Sequence, residues 1–137
     1  TDDYQSVMNQ GVPETLRALR EMGVKVALAS SSGKKTIDKV LSDCKISQLF
    51  DVVVSGEEFR QSKPNPEIYL HTLERLGLCA DDCCCVEDSV PGITAGKAAG
   101  LTVLAKREER FGFSQDNADE IIDQIPDLLR RAESAGV

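Results

Sequence analysis

Apolar positions along this chain switch repeatedly between a helical and an extended period. In "VPETLRALREMG" Leu16 and Leu19 share one helical face, Pro13 suits a first turn and Gly23 suits a stop, so the stretch predicts a helix. "VKVALAS" follows as a strand with a small-residue exit. After the turn "SSG", Ile37, Val40, Leu41 and Cys44 return to helical spacing, and "FDVVVSG" is a short β-branched strand. A polar loop holds "SKPNPE". Pro66 then opens a helix with Ile68, Tyr69, Thr72, Leu73 and Leu76 on its apolar face, closed by Gly77. "CCCVE" predicts a third strand, "VPGITAGKAAG" a helix of small residues ended by Gly100, and "LTVLA" a fourth strand. "REERFGFSQDN" reads as a loop, with Phe111 and Phe113 expected to anchor it on the core. "ADEIID" is ambiguous, and "PDLLRRAESAG" is a terminal helix.

Helix and strand alternate throughout, and the strands are continuous apolar runs. Both features predict an α/β domain with a parallel sheet covered on both faces. Right-handed crossovers place the carboxyl ends of the strands along one edge, where ligands bind in such sheets. That edge collects Ser30–Ser32, Ser55–Gly56, Glu87–Asp88 and Lys106–Arg107, and the loop carrying Lys63 leaves from it. No internal repeat or linker divides residues 1–137, which read as a single domain.

Composition narrows the function classes. The 137 residues are 41% hydrophobic and contain no Trp, enough for one core. No apolar run approaches the roughly 20 residues of a membrane helix. The N-terminal "TDDYQSVMNQ" is polar and acidic, unlike a signal or transit peptide. A net charge of −7 argues against a nucleic-acid surface, but leaves room for a small anionic substrate held by a local field. Five cysteines, three of them consecutive at Cys83–Cys85, match no usual zinc spacing and have no nearby His. They are expected to be buried reduced thiols, as suits a cytoplasmic protein.

Three turns at the edge carry candidate chemistry. Ser30 and Ser31 offer a hydroxyl and backbone N–H groups at a strand-to-helix turn, a cradle for phosphate; a serine here also commonly caps the next helix. Lys63, between prolines, could aim an ammonium at a phosphoryl group, although most lysines are solvated. Glu87 and Asp88 are adjacent carboxylates whose repulsion a divalent cation would relieve, with Mg²⁺ suited to few oxygen ligands plus water. The alternative is that Asp88 caps the helix starting near Val90 and Glu87 is exposed. A hydroxyl, a lysine and a paired acid from three separate turns shift the balance towards a site. His71, mid-helix, reads as a boundary residue, and "KREER" as a solvated loop.

The motifs "VKVALASSS", "SKPNPEIYL" and "CCCVEDSVPGITAGKAAG", in this order and at these separations, resemble the haloacid dehalogenase superfamily, in its β-phosphoglucomutase and phosphatase-like branch. The resemblance extends to the tail "ADEIIDQIPDLL". It implies a three-layer Rossmann-like core and a Mg²⁺-dependent phosphatase or phosphomutase acting on a small phosphorylated metabolite, a sugar phosphate by class. It also implies roles. Ser30 is similar to the family's phosphate-binding hydroxyl, assisted by the N–H of Ser31. Lys63 is similar to the lysine that neutralises the phosphoryl group. Glu87 and Asp88 resemble the Mg²⁺ ligands, Asp88 directly and Glu87 directly or through water.

One departure is large. Phosphoryl transfer in the family runs through an aspartate of an N-terminal Asp-x-Asp motif, and this sequence contains no Asp-x-Asp. The resemblance therefore implies that the motif, its central strand and the cap domain lie upstream of residue 1, with residues 1–10 a remnant of the cap-to-core connection. The chain as given is expected to be inactive. The sheet is expected to lack its central strand, and "VKVALA" and "CCCVE" are expected either to close the gap by pairing directly, or to associate through dimerisation or strand exchange. Two other readings compete: a non-catalytic phosphate-binding or scaffolding module without the acid motif, and a receiver-like domain. The latter ranks last, because the acid pair follows the third strand here and Lys63 precedes it.

Overall fold

The computed structural model describes residues 12–61, 63–107, 115 and 117–134. The expectations for residues 1–10 and for Phe111 and Phe113 fall outside them. Helices and strands alternate: α1 Val12–Glu21, β1 Ala27–Ser30, α2 Lys34–Asp43, β2 Val52–Ser55, α3 Glu67–Leu76, β3 Cys84–Glu87, α4 Val90–Ala98, β4 Thr102–Lys106, β5 Glu120–Ile122 and α5 Asp127–Ser134. The ambiguous "ADEIID" thus contains a strand, short because only three residues lie against β4. No described helix is long and apolar enough to cross a membrane.

Every observed pairing is parallel. Ala27 is opposite Val52 in β1–β2, Cys84 is opposite Thr102 in β3–β4, and Leu104 is opposite Glu120 in β4–β5. The pairings form two sheets, β1-β2 and β3-β4-β5, and β1 does not pair with β3. The expected direct closure therefore does not occur. Helices already fix the two halves: α3 packs on both strands of the first sheet and on α4, while α4 packs on β3 and β4.

Side chains of successive strand residues go to opposite faces, and the core divides accordingly. Val52 and Val54, with Ala27 and Ala29, pack on Ile68, Tyr69 and Leu73 of α3 and on Ala95 of α4. Leu28 and Val53 face the other way, onto Leu16 and Leu19 of α1, Ile37 and Leu41 of α2, and Leu129 of α5. This is the helix–sheet–helix layering that continuous apolar strands predict. Val54, Val103, Leu104 and Ala105 are wholly buried, each branched side chain contributing about 1.5–3 kcal/mol.

Local chemistry sets the ends of the elements. Gly77 ends α3 at φ 71° and Gly100 follows α4 at φ 86°, a region that costs a side chain but not glycine. Ser89 caps α4, its Oγ accepting from the Gly92 N–H at 3.3 Å.

One expectation about the core is corrected. None of the five cysteines is buried: Cys79 and Cys84 are exposed, and Cys44, Cys83 and Cys85 are half-buried. For Cys84 and Cys85 the physical reason is that, among the described residues, β3 pairs with β4 alone; Cys44, Cys79 and Cys83 lie outside the strand, at a helix end and in the turn before β3.

Candidate functional site

The carboxyl ends of β1, β2 and β3 are built by different devices. After β1, the Ser32 N–H donates to Ser30 Oγ at 3.1 Å, a tight serine turn. Ser30 therefore does not cap α2, whose N-cap is Gly33 with no side-chain hydrogen bond. From β2, the buried Ser55 donates its hydroxyl to the Ser32 carbonyl at 2.7 Å, tying the second turn to the first. Gly56 permits this approach: a Cβ there would stand 3.0 Å from Ser31 Cα and 3.3 Å from the Ser30 carbonyl oxygen. Neither Ser55 nor Gly56 carries a signal in the sequence beyond its place at the end of a strand.

Lys63 joins the two halves of the sheet. Its Nζ lies 2.6 Å from Glu87 Oε2, at the end of β3, and 3.4 Å from the carbonyl oxygen of Ala29 in β1. Both side chains are largely buried, 13% and 10% exposed. The Tyr69 hydroxyl, from α3, also donates to Glu87 Oε2, and the Lys63 ammonium sits 5.1 Å from the Tyr69 ring centroid. Burial, reinforced by the charge of Glu87, raises the Tyr69 pKa, so the phenol stays a donor. The floor under the carboxylate is Gly92, where a Cβ would collide with Glu87 Oε1.

Asp88 is exposed, beside this buried pair. Its carbonyl accepts from Gln115 Nε2 at 3.0 Å, and the same nitrogen donates to the Lys106 carbonyl at 2.7 Å. Gln115, 7% exposed, thereby links the turns after β3 and β4. Nothing in "FGFSQDN" singles it out, because its partners are backbone atoms distant in sequence. The two structural alternatives for the acids do not hold: Ser89, not Asp88, caps α4, and Glu87 is not exposed.

The remaining candidates stay ordinary. Arg107 donates to Asp123 Oδ1 at 2.6 Å, and His71 meets Phe59 edge-on at 5.4 Å between centroids. Burial pushes the Cys85 thiol up to about 12, which keeps it protonated.

Ser30, Ser31, Lys63, Glu87 and Asp88 thus gather at one edge, as the sequence predicts. A hard divalent cation would take oxygen ligands, and the Asp88 carboxylate is of that kind. Glu87 has one oxygen engaged by Lys63 and Tyr69 and the other beside Gly92. Among the described residues no group of three or more His, Cys, Asp or Glu gathers as for a metal. By donor chemistry the exposed Asp88 carboxylate fits a hard cation such as Mg²⁺ and would supply part of its shell, whereas Glu87 is engaged by Lys63 and Tyr69.

Known proteins resemble this chain in sequence and in fold. Residues 2–106 match the sequence profile of the family described as haloacid dehalogenase-like hydrolase. The chain is 38% identical to a bifunctional riboflavin kinase/FMN phosphatase of Arabidopsis thaliana, over 86% of this chain and 32% of that protein. It is also 38% identical to a phosphorylated carbohydrates phosphatase of Thermotoga maritima, over 68% of this chain and 43% of the relative. A crystal structure of a family hydrolase from Deinococcus radiodurans, with bound phosphate and sodium, superposes with a TM-score of 0.83 at 27% identity, covering 93% of this chain and 59% of the other. The chain thus spans less than two thirds of the length of each of these relatives.

Proposed function

Because the chain belongs to the haloacid dehalogenase-like hydrolases, we propose that it supplies the phosphate-binding and part of the metal-binding side of a Mg²⁺-dependent phosphatase or phosphomutase. The substrate class is a small phosphorylated metabolite, a sugar phosphate by analogy with the phosphorylated carbohydrates phosphatase it resembles. The observation that carries this reading is the Lys63 ammonium, aimed from a separate loop to the ends of β1 and β3 at once.

Each residue has a role in that reading. The Ser30 hydroxyl and the Ser31 N–H bind phosphoryl oxygens at the β1 exit. Lys63 neutralises their charge, which matters most where water is scarce, and its 13% exposure supports that role. Glu87 and Tyr69 hold Lys63 in place. Asp88, with Glu87, would hold Mg²⁺, which when bound stabilises negative charge on the phosphoryl oxygens. No Asp-x-Asp is present in the sequence to act as nucleophile, so the 137-residue chain binds without turnover.

Titration of the purified chain with inorganic phosphate, alone and with Mg²⁺, tests the binding. Phosphate affinity should fall about ten-fold or more in Lys63→Met, the loss of one charged hydrogen bond. Equal affinity in both proteins would sink the assignment. Mg²⁺-dependent hydrolysis of an aryl phosphate by the 137-residue chain would overturn the claim that it does not turn over.

A non-catalytic phosphate-binding module is the second reading. What favours it is that Glu87 is already compensated by Lys63 and Tyr69 without a metal. It requires that Mg²⁺ leave phosphate affinity unchanged, whereas the first requires an increase that Asp88→Asn abolishes.

A further inference from the structure

Past the last paired residues of β3 and β4, a side chain joins the two strands. Their register ends at Glu87 opposite Ala105, so Asp88 and Lys106 stand one step beyond the ladder. Gln115 takes over at that step. Its Nε2 donates to the Asp88 carbonyl at 3.0 Å and to the Lys106 carbonyl at 2.7 Å. Backbone carbonyls only accept, so the nitrogen of the amide, not its oxygen, must face them, and each of its two hydrogens has a partner. At 7% exposure Gln115 is nearly out of water, where such bonds are stronger and an unmet carbonyl is costly.

The chain on either side of Asp88 is held as well. Before it, Glu87 pairs with β4 and is gripped by Lys63 and Tyr69. After it, Ser89 caps α4, and the Ser89 carbonyl accepts from the Ile93 N–H at 3.0 Å. The carboxylate of Asp88, by contrast, belongs to an exposed residue. Other acids of the fold are used to tie backbone: Asp51 and Asp119 accept from the N–H groups of Val26 and Val103, each at 2.7 Å. At the exit of β3 the tie is a neutral amide donating to carbonyls, and the acid faces solvent. A carboxylate on a turn that is already ordered loses less conformational freedom when it takes a cation.

We propose that Gln115 is a positioning residue: by holding the Asp88 and Lys106 carbonyls together, it presents the Asp88 carboxylate to a hard divalent cation at the exit of β3. It acts through the backbone of Asp88 and supplies no ligand itself. The proposal rests on the reading of Asp88 as a cation ligand. Gln115 lies in none of the three motifs that carry the family resemblance.

The test uses the purified 137-residue chain and Mn²⁺, which favours the same oxygen ligands as Mg²⁺ and whose free ion is counted by electron paramagnetic resonance. Gln115→Met keeps the length of the side chain and removes both donors. Its Mn²⁺ affinity should fall about ten-fold, the usual cost of losing a group that orients a metal ligand. Its affinity for inorganic phosphate without metal should match that of the parent, because Ser30 and Lys63 lie on other turns. A glutamine that only supports the fold would lower both affinities or neither, and either result overturns the proposal. Should Gln115→Met fail to fold by circular dichroism, Gln115→Asn, which keeps an amide but shortens its reach by one methylene, is judged by the same two affinities. Asp88→Asn separates this proposal from the reading beneath it. If Asp88→Asn loses Mn²⁺ and Gln115→Met does not, the positioning role alone is wrong. If Asp88→Asn binds Mn²⁺ as the parent does, or the parent binds none, the reading of Asp88 as a ligand fails and the positioning role with it.

Discussion

Asp51 shows how much a single polar side chain can organise here. Its Oδ2 accepts from the Val26 N–H at 2.7 Å and lies 2.8 Å from Arg20 Nη1, tying the approach to β2 to the start of β1 and to α1. The Val26 backbone bond, helped by the Arg20 guanidinium, holds this carboxyl below the usual carboxylate range. The folded state therefore favours the ionised form. That stability is present above the unfolded value of about 3.9 and is lost as pH falls through the lower folded value. Asp51→Ala should cost about 1 kcal/mol at pH 7 by urea unfolding, since the pair is a third exposed and screened. The gap between variant and parent should shrink at pH 3. A gap independent of pH would assign the effect to packing.

The Lys63–Glu87 pair makes the opposite prediction about charge. Both groups are nearly out of water, so removing one leaves the other uncompensated. Lys63→Met should destabilise by about 3 kcal/mol, and the double variant Lys63→Met, Glu87→Gln should recover more than half of that. Strict additivity in denaturant unfolding would show that the two groups do not interact. Both residues could be read from the sequence as candidates, because each sits in a distinctive turn. Their ion pair could not, because it depends on α3 bringing Tyr69 beneath them.

Among the elements, α4 is the most demanding. It is made of small residues because it must lie close to β3 and β4: a Cβ on Gly96 would stand 2.6 Å from Cys85 Sγ and 2.8 Å from Val103 Cγ2. Gly96→Ala should therefore lower stability by about 1–3 kcal/mol despite the better helix propensity of alanine. A rise in melting temperature would mean that the contact relaxes freely. Ser89→Ala should cost about 1 kcal/mol through the lost cap, whereas Asp88→Ala should leave stability nearly unchanged. Comparing these two by thermal unfolding separates a structural serine from an aspartate available for a ligand.

The elements themselves were legible because their signals are local. Helical spacing with Gly77 and Gly100 as stops needs only neighbours in sequence. β5 was not, since three residues carry too little periodicity and its pairing with β4 decides it. The alternative that Asp88 caps α4 fails by one residue: Ser and Asp are both good caps, and Ser89 takes the place. The cysteine triplet was misjudged because thiol burial depends on what flanks β3, not on the triplet.

For the molecule as a whole, one alternation of helix and strand yields two parallel sheets that share cores but not a ladder. The family likeness covers nearly all of the chain, and the Deinococcus radiodurans structure superposes over 93% of it. The relative placement of the elements therefore survives the break between β1 and β3. The helices explain this: α3 and α4 pack against each other and each grips its own sheet, so the halves are held without backbone pairing between them. Closing the gap would require α3 and α4 to slide past one another, breaking the packing around Tyr69 and Ala95.

The sequence by itself determined the α/β class, the order of elements and the collection of Ser30, Lys63, Glu87 and Asp88 at one edge. Parallel crossovers leave strand ends nowhere else to go. The tertiary structure decided what those groups do to one another: that Glu87 is taken by Lys63 and Tyr69, that Gln115 joins two turns, and that β1 and β3 stay apart. These are contacts between residues distant in the chain. They are fixed by how helices pack across a sheet, a property that no local pattern of apolar and polar positions encodes.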